Sequence, residues 1–385
     1  MMFVEEFRRP PAQRIVLLCD WLPPDFGAVG QYTLLRAQEL AAAGHQVTVV
    51  GFSSTVAPAA AVSPPGQPVV TRVHRPAYDK TRLLRRALWT LGANVRLLRA
   101  ARVAMRQADE VIFTGSPPYL LHFIAPANLW RRRPLVYRIT DFHPECLIAE
   151  YGPQVPLWLR ALRRLTLFWR RRVGRFEVLG EDQAQRLRAQ GFSDAQIRLV
   201  RDPSPVAIAP DTLPLERPAA LVGRRVLLYS GNYGVAHEVD TVIAALTEAE
   251  RRWPGQVGLW LNAVGKNADR VEAGLRVAGV CVHRSQPVPL AELPALLLAA
   301  DAHLITLRDA FVGYVLPSKV YACVATGLPL LFVGSAASDV HRVASLGLPA
   351  ARYRRAAVGA VDACVAGIAA VLGLPSDIAQ PGETA

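Results

Sequence analysis

The sequence has few lysines, no closely spaced cysteine pairs and no long apolar run. Of its 44 basic residues, all but Lys80, Lys266 and Lys319 are arginine. Its five cysteines never occur as CxxC, which excludes a cysteine zinc site or disulfide framework and favours a reducing cytosol. No apolar stretch reaches the roughly 18 residues of a membrane span, and residues 1–9 are too charged for a secretory signal. We therefore expect a cytoplasmic protein, soluble or peripheral to a membrane.

The composition favours a folded protein with anionic ligands. Of the 385 residues, 51% are hydrophobic, and the formal net charge is +13. At roughly 150 residues a domain, this length predicts two domains with large cores. The positive charge favours phosphates, nucleotides, nucleic acid or an anionic membrane as partners.

Short apolar runs alternate with amphipathic stretches in both halves of the chain. This alternation predicts an α/β protein with two open parallel sheets covered by helices on both faces. A proline-rich segment without periodicity interrupts it, so we divide the chain into an N-terminal domain (1–204), a linker (205–224), a C-terminal domain (225–375) and a flexible tail (376–385). Ligands of such sheets bind beyond the carboxyl ends of the strands, so we expect the site in a cleft between the domains.

Two motifs of the second half fit an anion site. Gly231, Asn232 and Gly234 follow an apolar strand and precede a helix, where free backbone N–H groups favour a diphosphate. An ordinary glycine turn explains this motif equally well. Lys319 lies in the first turn of a predicted helix that Ser318 would cap, and the helix dipole disfavours a cation there unless an anion is bound. The alternative is a solvent-facing lysine.

Two motifs of the first half are candidates for contacts with a substrate. Asp141, His143 and Glu145 follow a predicted strand, where acids and an imidazole can orient sugar hydroxyls or transfer a proton. The alternative is a structural turn in which Asp141 caps the next helix. Gly27 and Gly30 follow the first strand without forming GxGxxG, so we interpret them as a loop that lets a substrate approach the backbone.

Two segments combine arginine with leucine and tryptophan. Residues 81–106 and 151–175 hold seven arginines each and no acidic residue. Arginine beside an apolar face is typical of helices on an anionic membrane surface. A nucleic-acid surface would also be basic, but no reading motif accompanies these segments. Helices packed on the sheet account for part of the pattern.

Six motifs, taken in order, resemble the family 4 retaining glycosyltransferases of the GT-B fold, in particular the branch that builds O-antigen and exopolysaccharide. They are Pro23-Pro-Asp-Phe-Gly with Gly30, Ser116-Pro-Pro, Asp141-Phe-His-Pro-Glu145, Tyr229-Ser-Gly-Asn-Tyr-Gly234, residues 301–307, and Pro317-Ser-Lys-Val-Tyr321 through Gly327-Leu-Pro329. The sequence departs from the family where two glutamates are usual, because Tyr314 and Ala322 occupy those positions.

The resemblance implies a GT-B fold of two Rossmann-like domains facing across a cleft. It also implies transfer of a sugar from a nucleotide sugar, expected to be a UDP-sugar, to a glycan or lipid-linked acceptor with retention and without a metal or other cofactor. Gly231, Asn232, Gly234 and Ser318 would contact the donor and Lys319 its diphosphate. Gly27 and Gly30 would place the acceptor, and Asp141 and Glu145 would act near the donor sugar.

Three hypotheses compete with this one. A nucleotide-sugar epimerase on the same fold would use Asp141, His143 and Glu145 on one sugar. An inactive homologue that scaffolds polysaccharide assembly is favoured by Ala322. Nucleic-acid binding ranks last, so we expect the partners to be the donor, the acceptor and an anionic membrane at the inner face of the plasma membrane.

Overall fold

A computed structural model describes residues 11–25, 28–55, 64–75 and 83–375, without the side chains of residues 28 and 83–88. The chain divides into two compact units. The first comprises residues up to 144, 156–178 and 190–199, and the second comprises 145–155, 179–189 and the chain from 200 onward. Gly27 and the predicted tail, residues 376–385, lie outside the described residues.

The first unit is built on a parallel sheet of seven strands in the order β3-β2-β1-β4-β5-β6-β7. The order reverses between β1 and β4, as in doubly wound α/β sheets. Its strands are β1 (Arg14–Trp21), β2 (Gln46–Ser53), β3 (Val69–His74), β4 (Glu110–Thr114), β5 (Leu135–Ile139), β6 (Arg175–Val178) and β7 (Ile197–Leu199). Its helices are α1 (Ala28–Ala42), α2 (Leu83–Gln107), α3 (Leu121–Asn128) and α5 (Leu157–Arg170).

The second unit repeats the plan with six parallel strands in the order β10-β9-β8-β11-β12-β13. The reversal falls between β8 and β11. The strands are β8 (Arg225–Asn232), β9 (Val257–Val264), β10 (Cys281–Ser285), β11 (Ala302–Thr306), β12 (Leu330–Val333) and β13 (Tyr353–Ala356). The helices are α4 (Glu145–Tyr151), α6 (Glu181–Arg188), α7 (Asp240–Arg252), α8 (Lys266–Val277), α9 (Leu293–Leu298), α10 (Lys319–Ala325), α11 (Asp339–Gly347) and α12 (Val361–Leu372).

The strands are the apolar runs of the sequence, as burial on both faces requires. In β9 every residue but the last is buried, and β8 pairs with it over eight residues. The predicted α/β class with two parallel sheets is thereby confirmed. β3 and β13 were not predicted, because these strands at the sheet edge mix polar with apolar residues and are mostly only partly buried.

The segment predicted as a linker packs against the second unit. The backbone N–H of Leu215 donates to the Ala295 carbonyl at 2.9 Å, and Arg217 Nη2 lies 3.0 Å from Asp301 Oδ1. Leu221 is fully buried in the core beside β8. The prolines therefore mark an irregular but anchored segment of this unit.

Candidate functional sites of the two units

The second unit brings Lys319 and Gly231 into contact at the carboxyl end of β8. Lys319 Nζ lies 3.4 Å from the centre of the Tyr229 ring, over its face. A Cβ added to Gly231 would lie 3.6 Å from that Nζ, and Gly231 has a φ of +118°, which a residue with a side chain rarely adopts. The glycine thus keeps the strand end open beside the ammonium.

The Lys319 ammonium is buried without a hydrogen-bond partner. Burial lowers the pKa of Lys319 to about 7, and Cys323 one turn along α10 opposes that shift. An unpaired buried charge costs several kcal/mol by order of magnitude, which an anionic ligand would offset. The strand end is therefore suited to bind an anion.

His237 adds no second positive charge beside Lys319. Its Nδ1 donates to the Thr306 carbonyl at the end of β11, at a distance of 2.7 Å. Burial, followed by the charge of Lys319, lowers the pKa of His237 to about 3. The imidazole is therefore neutral at physiological pH, and Lys319, with a pKa of about 7, is the group that can carry positive charge here.

The segment 231–234 packs against a further glycine, Gly265, which sequence reasoning missed. Gly265 has a φ of +108°, and a Cβ there would lie 2.6 Å from Asn232 Oδ1 and 2.9 Å from the Tyr233 carbonyl oxygen. Gly234 contacts the Asn232 side chain, and its carbonyl accepts a hydrogen bond from Asn267 Nδ2 at 2.9 Å. The signal in the sequence was the strand-to-helix turn at Gly265 and Lys266.

Ser318 does not cap the helix that follows it, so that prediction is wrong. Ser318 itself has helical backbone angles and its side chain makes no capping hydrogen bond. Its carbonyl accepts from the Tyr321 N–H at 3.2 Å. A capping side chain needs an extended backbone to reach the following N–H groups, and the chain turns into the helix one residue too early.

The first unit places two carboxyl groups at its own reversal point. Asp20 Oδ2, at the end of β1, accepts a hydrogen bond of 2.6 Å from Ser116 Oγ, just beyond β4. Asp20 Oδ1 is buried without a partner. Burial chiefly raises the pKa of Asp20, and the charge of Asp141 raises it further. Burial also raises the pKa of Asp141, while His143 opposes that shift.

Sequence reasoning predicted Asp141 but missed Asp20 and assigned no role to Ser116. Asp20 ends an apolar strand and gives no motif of its own. Ser116 is held by Thr114 Oγ1, which donates to the Ser116 carbonyl at 2.6 Å. Carboxyl oxygens at this edge can accept hydrogen bonds from sugar hydroxyls.

The remaining predicted residues lie elsewhere. Glu145 is buried as the first residue of α4 and belongs to the second unit, whereas Asp141 belongs to the first. Gly30 packs so closely against β1 that an added Cβ would collide with the Trp21 carbonyl oxygen, so helix packing requires this glycine. Within the described part of the chain, no group of three or more metal-binding side chains is placed to hold a metal ion.

Solved structures of other proteins share the fold. WaaG, a glycosyltransferase involved in lipopolysaccharide biosynthesis, is 17% identical with a TM-score of 0.61 over 93% of this chain and 90% of its own. The sucrose-phosphate synthase of Thermosynechococcus elongatus is 14% identical with a TM-score of 0.66 over 94% and 90%. Anabaena HepE, in complex with UDP and glucose, is 12% identical with a TM-score of 0.61 over 94% and 92%. At these identities the likeness shows the fold, which is GT-B.

The chain is a glycosyltransferase. Residues 27–203 match the glycosyl transferase 4-like domain. The "Probable glycosyltransferase WbjE" of Pseudomonas aeruginosa is 26% identical over 287 residues, covering 70% of this chain and 68% of that protein. Over residues 27–203 the chain resembles the family 4 glycosyltransferases, as its motifs indicated.

Proposed function

We propose that this enzyme transfers a glycosyl group from a nucleoside diphosphate sugar, a UDP-sugar by preference, to a glycan or lipid-linked acceptor with retention. The observation that carries the proposal is the buried, unpartnered ammonium of Lys319 beside Gly231. HepE, with the same fold, is described in complex with UDP and glucose. The proposed pathway is the biosynthesis of a cell-surface polysaccharide, and WaaG is involved in lipopolysaccharide biosynthesis.

The chemistry follows from charge separation at the anomeric carbon. Cleavage of the bond from C1 to the diphosphate oxygen leaves positive charge on the sugar and negative charge on the diphosphate. Lys319 would stabilise the leaving diphosphate. In many enzymes, preorganised charges of this kind make the largest single contribution to the rate enhancement. The acceptor oxygen then bonds to C1 on the same face, and its proton passes to the departing phosphate. Asp20 and Asp141 would hold acceptor or donor hydroxyls.

A panel of UDP-, GDP- and ADP-sugars tests the donor. Because a ligand bound to the native state raises apparent stability, the preferred donor is identified by its shift in melting temperature. We expect this donor to release nucleotide slowly in the enzyme's presence and the release to depend on Lys319. Epimerised donor formed without acceptor would favour the epimerase, and no shift or release with any donor would favour the scaffold.

We also propose that the enzyme works at an anionic membrane surface, on the cytoplasmic side. Large apolar side chains of the first unit face solvent: Trp130 is 94% exposed, Leu157 78% and Trp158 55%. Exposed arginines lie on two helices of the same unit, namely Arg160, Arg163 and Arg164 on α5 and Arg96, Arg99 and Arg102 on α2. Each basic residue adds about 1 kcal/mol near an anionic leaflet. Among the described helices, none is long and apolar enough to cross a bilayer.

Vesicle flotation tests the membrane proposal. The enzyme should float with phosphatidylglycerol vesicles and not with phosphatidylcholine vesicles. The double variant Arg163→Glu, Arg164→Glu should lose binding, whereas Arg251→Glu on α7 of the second unit should not. Equal flotation with both lipids, or none with either, would remove this part of the proposal.

A further inference from the structure

Arg75 follows the last residue of β3 and carries a charge that nothing in the described chain neutralises. It is only 7% exposed. Its guanidinium carbon lies 4.3 Å from the centre of the Trp89 ring, and its Nη2 donates to the Trp89 carbonyl at 2.8 Å. That bond is the only hydrogen bond of the guanidinium among the described residues. The Trp89 ring supplies a cation–π contact in place of an acid.

The other two nitrogens of this guanidinium are unsatisfied. Arg75 Nε and Nη1 are buried without a hydrogen-bond partner. Burial chiefly, and then the like charge of Arg96 on α2, lower the pKa of Arg75. Buried arginines are normally paired, because an unpaired charge away from water costs several kcal/mol by order of magnitude. The buried, unsatisfied donors of Arg75, beside the positive charge of Arg96, therefore favour an anion.

The surroundings indicate what kind of anion fits. Trp21, at the end of β1, stacks on Trp89 with ring centres 6.0 Å apart and planes 23° apart, and Phe52 at the end of β2 packs against both rings. Arg75 therefore lies at the carboxyl edge of the sheet beside an aromatic wall. Its strand β3 is separated by β2 alone from β1, whose second-last residue is Asp20.

We propose that Arg75, with Arg96 and the Trp21–Trp89 wall, binds a phosphoryl group of the acceptor. Guanidinium groups match phosphate oxygens in geometry and charge, and the aromatic wall suits the apolar or sugar part attached to the phosphate. The acceptor would then lie along the sheet edge with its phosphoryl group at Arg75 and its hydroxyls towards Asp20. This inference rests on the proposed function, because it assumes that the first unit receives the acceptor.

Binding measured in the Lys319→Met protein tests the site, because loss of that ammonium weakens phosphate binding at the donor half. Two probes are compared by isothermal titration calorimetry. One is the isoprenyl diphosphate farnesyl diphosphate, and the other is the sugar phosphate glucose 6-phosphate. The better ligand identifies the source of the phosphoryl group. Adding Arg75→Met should lower the affinity for that ligand at least tenfold. Ligand binding should quench tryptophan fluorescence only when Arg75 is present.

Arg72→Met in the same background is the matched control. Arg72 lies on the same strand and donates to the Pro23 carbonyl, so its loss should change the affinity less than twofold. Because Arg75→Met removes a buried unpaired charge, its melting temperature should not fall, which separates lost binding from lost folding. Equal affinity with and without Arg75, or no binding of either probe, would overturn the inference. Failure of the proposed function would appear separately, as nucleotide binding independent of Lys319.

Discussion

The two units share a sheet topology and place opposite chemistry at the same point of it. At the reversal between β8 and β11, the second unit holds one ammonium, two glycines and a neutral imidazole. At the reversal between β1 and β4, the first unit holds the carboxyl group of Asp20, a serine hydroxyl and the nearby Asp141. Topology therefore fixes where a ligand binds, and a few side chains decide whether it is an anion or a polyol.

Loss of the ammonium should give the largest effect. Lys319→Met keeps the length of the side chain over Tyr229 and should lower donor-dependent nucleotide release by about 100-fold or more, the usual effect of removing one preorganised electrostatic group. Rates from discontinuous nucleotide assays would measure this. Arg251→Met, an exposed change on α7, is the control. A rate within threefold of the wild type for Lys319→Met would contradict the comparison.

The same variant should be more stable, not less. The folded pKa of Lys319 is about 7, below its ordinary value of 10.5, so the folded state binds fewer protons between these values. Stability of the wild type therefore rises with pH across that window, and the cost of the ammonium is fully present below pH 7. In denaturant titrations, the free energy of unfolding of Lys319→Met should exceed that of the wild type by on the order of 2 kcal/mol at pH 6.5. This difference should shrink towards pH 10.

Backbone geometry should matter in the second unit at Gly265. Gly265→Ala puts a methyl group against Asn232 and Tyr233 at a positive φ, so we expect a loss of about 2–4 kcal/mol and weaker donor binding. Gly279→Ala is the matched control, because Gly279 has a φ of +74° and open space around it. Chemical denaturation of both variants separates the steric cost from backbone strain, and equal losses would show that the contacts do not matter.

Donor affinity should depend on pH through Lys319. A bound diphosphate raises the pKa of the ammonium, so above pH 7 binding must also take up a proton. Affinity for the nucleoside diphosphate should fall up to tenfold per pH unit between about pH 7 and 9. Titration calorimetry over that range measures this. Lys319→Arg, which does not titrate there, should remove the dependence, and a pH-independent wild type would argue against a buried ammonium.

The smallest effect should come from the carboxyl group of the first unit. Burial raises the pKa of Asp20, so the folded state holds its proton more tightly and the wild type loses stability as pH rises from its ordinary pKa to the raised value. Asp20→Asn should therefore gain on the order of 1 kcal/mol over the wild type at pH 7 compared with pH 4. Asp109→Asn is an opposite control, because Arg14 lowers the pKa of Asp109.

The sequence predicted the central strands and the importance of Lys319 better than the details around them. Buried parallel strands such as β4 are continuous apolar runs, so their positions in the chain could be predicted, and for β4 the ends also. β8 continues through Gly231 and Asn232, which were predicted as a turn, because a glycine in a strand resembles a turn glycine until the pairing with β9 is known. Ser318 failed as a cap because backbone angles, not residue type, decide which residue caps.

Other features could not be predicted because they depend on contacts distant in sequence. Asp20 and Ser116 are 96 residues apart, and their hydrogen bond exists only because β1 and β4 are neighbours. Arg75 gives no signal in sequence, since one arginine among many is singled out only by burial and by the ring of Trp89.

The most direct test is the affinity of one nucleoside diphosphate, chosen from UDP, GDP and ADP by the donor panel, for wild type and Lys319→Met at pH 6.5. There the ammonium is charged, so the account predicts that calorimetry shows at least a tenfold weaker complex for the variant. Equal dissociation constants, with the variant folded, would mean that Lys319 does not hold the donor diphosphate.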